Sequence, residues 1–122
     1  MIDGKFYAVT GSISRVNRLE VYDPATDTWT SRAKPPRAGS SAVAAVEKTL
    51  YVFGGVFDDP TRVDSYDPAT NKWTLAAPLP STPVSRGAVR LTVAGVPRIF
   101  APGLGRGASG SSIVAVNEMF TP

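Results

Sequence analysis

Four arginines and two adjacent aspartates are the side chains of this sequence best suited to chemistry on a ligand. Arg15, Arg37, Arg86 and Arg106 each carry a planar fork of donors that matches a carboxylate. Asp58 and Asp59 stand side by side in VFDDPT. Neighbouring acids in a proline-bearing loop usually form a solvated turn, because an acid–base carboxylate pair needs opposed geometry that adjacent residues seldom have. Histidine and cysteine are both absent. That excludes the commonest general base near neutral pH, the commonest metal ligand, thiolate sites and disulfides. The stretch GLGRGASGSS contains G-x-G-x-G, yet it lacks the strand-to-helix setting and the lysine of a phosphate-binding loop, so it reads as a flexible loop. No catalytic group stands out, no metal or cofactor is expected, and the use of the arginines depends on the elements that position them.

Composition narrows the class of those elements. A chain of 122 residues with 43% hydrophobic content can bury one core without disulfides or metal. Thirteen Lys and Arg against ten Asp and Glu leave a net charge of +3. No basic run interleaved with aromatics concentrates that surplus, which speaks against nucleic acid as a partner. No apolar stretch is as long as a bilayer span, and MIDGKFYAVTG has neither the basic start nor the apolar run of a secretion signal. No membrane partner is expected, and the compartment stays open.

The strongest signal is repetition. VYDPATDTW, from Val21 to Trp29, recurs as SYDPATNKW, from Ser65 to Trp73, with six of nine residues unchanged. Tyr7, Gly11, Tyr22 and Trp29 map onto Tyr51, Gly55, Tyr66 and Trp73, each 44 residues later. A third, looser unit follows: Arg37 maps to Arg86, Phe53 to Ala101, Gly55 to Gly103 at a step of 48, and Tyr66 to Phe120. Periods of this length mark repeat architectures.

Each unit is built from short strand signals. LYVFGG and FYAVTG are aromatic and β-branched runs that stop at glycine, and SSAVAAV and GAVRLTV are small and apolar. NRLEVYD alternates, which places Leu19, Val21 and Asp23 on one face and Arg18, Glu20 and Tyr22 on the other. DPAT then supplies a turn. A complete unit has four strands, giving three in the first unit, four in the second and three in the third, ten in all. The units span about residues 1–36, 37–80 and 81–122.

LYVFGG, VDSYDPATNKW and the arginine ahead of the small-residue strand together resemble the kelch repeat. The resemblance implies an all-β fold of four-stranded antiparallel blades belonging to a β-propeller. It implies structural roles for Tyr22, Trp29, Gly54, Gly55, Tyr66 and Trp73: the glycines end a strand and the tryptophans pack between blades. Arg37 and Arg86 occupy the position of the family's arginine before the innermost strand, where it either anchors loops or faces a central pocket. In kelch propellers, partners dock on loops that correspond here to 12–17, 57–61 and 104–111, with 35–40 and 78–86 between blades. Those loops hold Arg15, Arg37, Asp58, Asp59, Arg86 and Arg106. A cationic face of this kind favours an acidic peptide or a carboxylate-bearing sugar.

Fewer than three full blades cannot shield one another's faces and edges. Self-association of two copies into a ring of about six blades is therefore expected, the competing account being a piece of a longer propeller. Function is expected to be a non-catalytic binding scaffold. The alternatives are a sugar-active enzyme resembling the bacterial epimerase of N-acetylneuraminate, by fold analogy, or a propeller fragment with no evolved ligand. Galactose oxidase is a poor analogue, since its copper site uses His and a Tyr linked to Cys, neither of which this chain supplies.

Overall fold

A computed structural model describes residues 1–10, 17–37, 42–54, 59, 61–80, 83–85, 87–106 and 113–122. Among the described residues there is no helix, and eleven strands form three antiparallel sheets. β1 (Phe6–Thr10), β2 (Arg18–Asp23) and β3 (Thr28–Ser31) form the first, in that order. β4 (Ala42–Val46), β5 (Thr49–Phe53), β6 (Val63–Asp67) and β7 (Lys72–Leu75) form the second, again in chain order. The third holds β8 (Pro83–Ser85), β9 (Val89–Val93), β10 (Val96–Arg106) and β11 (Ile113–Phe120).

The repeated YDPAT stretch is the corner of each of the first two sheets. Asp23 Oδ1 accepts the Ala25 N–H at 3.0 Å, and Asp67 Oδ1 accepts that of Ala69 at 2.9 Å, so each aspartate closes an Asx turn beneath its proline. The turn ends on Asp27 and Asn71, at φ 52° and 55°, and these two residue types tolerate the left-handed region better than most. Their side chains then face back: the Tyr22 hydroxyl donates to Asp27 Oδ1 and the Tyr66 hydroxyl to Asn71 Oδ1, both at 2.8 Å. Alternation along β2 holds as expected, with Leu19 and Val21 buried and Arg18 exposed.

The hydrophobic core lies between sheets. Tyr66 and Leu50, on one face of the second sheet, pack with Leu19 of the first and with Ile2, which precedes β1. Phe53, Val63 and Ala44, on its other face, pack with Ile99 and Phe120 of the third. Aromatic rings bridge both junctions, Tyr7 to Tyr66 at 6.4 Å and Tyr51 to Phe120 at 5.4 Å, where Tyr51 and Phe120 are the repeat counterparts of Tyr7 and Tyr66. Such pairs add about 0.5–1.5 kcal/mol beyond the area they bury.

The third sheet departs from expectation in three ways. Its innermost strand comes in two pieces, since β8 and β9 pair with different parts of β10, Gly103–Gly105 and Val96–Phe100. The count among the described residues is eleven strands rather than ten. β10 also runs on through Leu104, Gly105 and Arg106, where the glycine-rich sequence reads as a loop, because β11 offers backbone partners without interruption from Ile99↔Phe120 to Arg106↔Ile113. Finally, Leu50 pairs with Tyr66 and Ile99 with Phe120, while Phe53 pairs with Val63 and Pro102 with Asn117. Phe53 therefore corresponds to Pro102 and Gly54 to Gly103, one residue away from the correspondence that glycine matching suggests.

Candidate functional site

Arg37 is buried, at 7% exposure, and all three of its guanidinium nitrogens donate. Nε reaches Asp64 Oδ2 at 2.7 Å, Nη1 the Asp59 carbonyl at 3.0 Å and Nη2 the Arg62 carbonyl at 2.8 Å. Asp64 lies on β6 at 1% exposure and also accepts from Arg62, whose Nη2 is 2.8 Å from Oδ1. Arg62 and Asp64 meet because residues two apart in an extended chain project to the same side. Asp59 and Arg62, on the β6 side of the β5–β6 connection, are thus tied to Arg37, and the Gly54 N–H adds a bond to the Arg62 carbonyl at 3.1 Å. Gly54 takes φ 66°, a backbone angle that favours glycine, so its role at the strand end is conformational.

Asp59 sits on the outside of this clamp and is exposed. Its Oδ1 accepts both the hydroxyl and the N–H of Thr61, at 2.6 and 2.9 Å. Those bonds, the hydroxyl first, hold its carboxyl below the ordinary carboxylate value. The carboxylate remains ionised and open to water on the loop side.

Of the sequence-nominated residues, the structure brings Arg37 and Asp59 together through a backbone carbonyl. Arg15, Gly55, Asp58 and Arg86 lie outside the described residues. Arg106 ends β10 opposite Ile113, with its side chain likewise outside them. Sequence reading missed Arg62 and Asp64. The available signal was Arg18 and Glu20, which stand 44 residues earlier with the same charges at the same spacing.

The aromatic motif residues take structural positions. Trp73 donates its indole N–H to the Ala33 carbonyl at 2.8 Å, and Asn71 Oδ1 accepts the Ala33 N–H at 2.9 Å, so the chain leaving β3 is fastened to the second sheet. Tyr66 is fully buried against Trp73, ring centroids 5.0 Å apart, and burial raises its hydroxyl pKa. Tyr22 and Trp29 repeat that stack at 5.1 Å on the first sheet, but Trp29 is 59% exposed.

At the opposite end of the same strands, a cleft of about 240 Å³ opens between the first and second sheets. Lys5, Arg32 and Lys48 line it together with Asp3 and Asp67. Lys5 also pairs with Asp23 at 2.8 Å, and Lys48 with Asp3 at 3.4 Å. The charges largely answer one another, so this end is mixed in character, in contrast to the clamped loop end.

Comparison with known proteins agrees with this geometry. The Kelch motif matches twice in succession, over residues 1–36 and 37–80. Kelch-like protein 35 of Mus musculus is 41% identical over 61 residues, 48% of this chain and 11% of that protein. Kelch-like protein 35 of Homo sapiens is 40% identical over 58 residues, 45% of this chain and 10% of that protein. The chain thus spans about a tenth of the length of these relatives. The second matched unit holds a buried arginine ahead of a small-residue strand, a strand ending at glycine, a Tyr-Asp-Pro corner and a tryptophan on its fourth strand; with the Kelch motif matched over residues 1–80, the chain belongs to the kelch-repeat family.

Proposed function

We propose that this protein is a non-catalytic kelch-type binding module that uses its loop face as a docking platform and completes its ring with a second copy. The observation that carries the reading is the Arg37 clamp. Arg37 donates to the Asp59 and Arg62 carbonyls and to Asp64 of β6, so a partner meeting Asp59, Thr61 and Arg62 finds that end of the connection already held and little conformational entropy is lost there on docking. Kelch repeats commonly serve as protein-binding propeller scaffolds, which supports the same assignment. Arg15, Arg86 and Arg106 supply the positive charge of the platform at the sequence level, and Asp58 and Asp59 set its local limit. The favoured partner is an acidic peptide, with a carboxylate-bearing sugar as the small-molecule counterpart.

Calorimetric titration tests this. An acidic peptide should bind with an affinity that falls as salt is raised, and the double variant Arg15→Glu and Arg106→Glu should weaken it at least tenfold. Equal binding of acidic and neutral peptides, unaffected by the double variant, would refute the loop-face assignment.

A further inference from the structure

Two junctions between sheets are built to one plan, and the two outer faces carry the same parts uncovered. In the first junction Ile2 packs with Leu50, at 2% and 3% exposure. In the second, their counterparts Val46 and Ile99 pack together at 4% and 0%. The next members of the two series are Leu91 and Phe6, by the strand register of the third and first sheets. They stand at opposite ends of the stack, 48% and 49% exposed.

Each face is wider than one residue. On the first sheet Phe6, Tyr22 and Trp29 lie in one row across the strands, since Phe6 pairs with Tyr22 and Tyr22 with Trp29. That row repeats Leu50, Tyr66 and Trp73, which the first sheet covers. On the third sheet Val89 and Leu91 pair with Phe100 and Arg98, on the face turned away from Ile99 and hence from the second sheet.

Charge agrees with shape. Lys5, just ahead of β1, and Asp67 of the second sheet line the cleft of the first junction. Thr49 and Thr121 line the corresponding cleft of the second. The next pair in the same series is Arg98 and Asp23. Among the described residues, Arg98 Nε is buried without a hydrogen-bond partner, while its Nη1 donates to the Met119 sulfur at 3.0 Å. A buried guanidinium nitrogen left unpaired is costly, and an acceptor arriving across a third junction relieves it.

Resting on the proposed ring, we infer that two copies of this chain join head to tail, the outer face of the third sheet on one covering the outer face of the first sheet on the other. Leu91 meets Phe6 of the second copy and Arg98 faces its Asp23. Both contacts occur twice in the closed pair, leaving neither apolar face in water.

The chain's molar mass in solution, read by sedimentation, separates the outcomes. The unaltered chain should weigh twice its 12.8 kDa. Phe6→Glu and Leu91→Glu each place a charge in both junctions of a like pair, and each alone should weigh as one chain. Mixing the two variants should restore a pair, because one junction then has two intact faces. If the unaltered chain pairs and both variants pair equally well, the face assignment fails while self-association stands. If the unaltered chain weighs 12.8 kDa at micromolar concentrations, both fail. The chain has no cysteine, so oxidative cross-linking of a Phe6→Cys chain to a Leu91→Cys chain gives a second measurement should the charged variants not fold. A link in the mixture supports the assignment, and its absence overturns it.

Discussion

Asp64 carries one negative charge between two guanidinium groups in a place almost closed to water. Arg37 bonds Oδ2 and Arg62 bonds Oδ1, so both oxygens are committed. Breaking such a pair from one side leaves the other charge buried without compensation, which typically costs about 3–5 kcal/mol. Asp64→Asn keeps shape and volume while removing the countercharge, and urea unfolding should register a loss in that range. Arg37→Lys should fall short of the original as well, because an ammonium cannot reach one carboxylate oxygen and two separate carbonyls as a planar fork does. Asp59→Asn, at an exposed position, should leave the unfolding midpoint much nearer the original. If Asp64→Asn is as mild as Asp59→Asn, the clamp is not what holds the loop.

At the scale of the element, the Asx turns tie stability to pH. Lys5, then the Ala25 N–H, hold the Asp23 carboxyl below its ordinary 3.8, and the Thr70 hydroxyl, then the Ala69 N–H, do the same for Asp67. A carboxyl whose folded value is depressed contributes stability that is complete above the unfolded value and is lost as pH falls through the folded one. The thermal midpoint should therefore hold between about pH 5 and 9 and drop below the ordinary carboxylate range, with Asp67→Asn removing part of that acid limb. Tyr22 has the opposite sign: its bond to Asp27 raises the hydroxyl pKa above 10.0, so its contribution is present below that value and lost as pH rises further. These turns were legible in the sequence because their chemistry is local. Asp, Pro and the residue at positive φ lie within five positions of one another, and the stretch is written twice. What was not legible depends on partners far along the chain. Arg37 and Asp64 are 27 residues apart, and nothing in an alternating VDSYD distinguishes a solvated aspartate from one buried under an arginine. The one-residue offset in the third sheet escaped for a related reason. Glycine matching aligns loop ends, whereas register is set by which side chains the neighbouring sheet buries.

Among the described residues of the whole molecule, the second sheet packs against both the first and the third, and cooperativity depends on these two junctions. Phe120 carries much of the second one. It is 5% exposed, lies edge-on to Phe53 at 5.5 Å and tilted against Tyr51 at 5.4 Å, and stands where Tyr66 stands in the first junction. Unlike Tyr66 it has no hydroxyl to donate, so its contribution is packing alone. Removing a buried phenyl ring costs about 3–5 kcal/mol when the cavity cannot collapse. Phe120→Ala should therefore do more than lower stability: with that ring gone, among the described residues Ile99 is the main large apolar side chain of the third sheet left in the shared core. The third sheet should then unfold at lower denaturant than the first two, and one transition should split into two, seen as different midpoints by tryptophan fluorescence and circular dichroism. The fluorescence probe belongs to the first two sheets, because Trp29 and Trp73 are the only tryptophans. Coincident midpoints with an unchanged m-value would mean that the three sheets remain one cooperative unit without the ring, and that the contacts of β9 and β10 with β4 hold the third sheet in place.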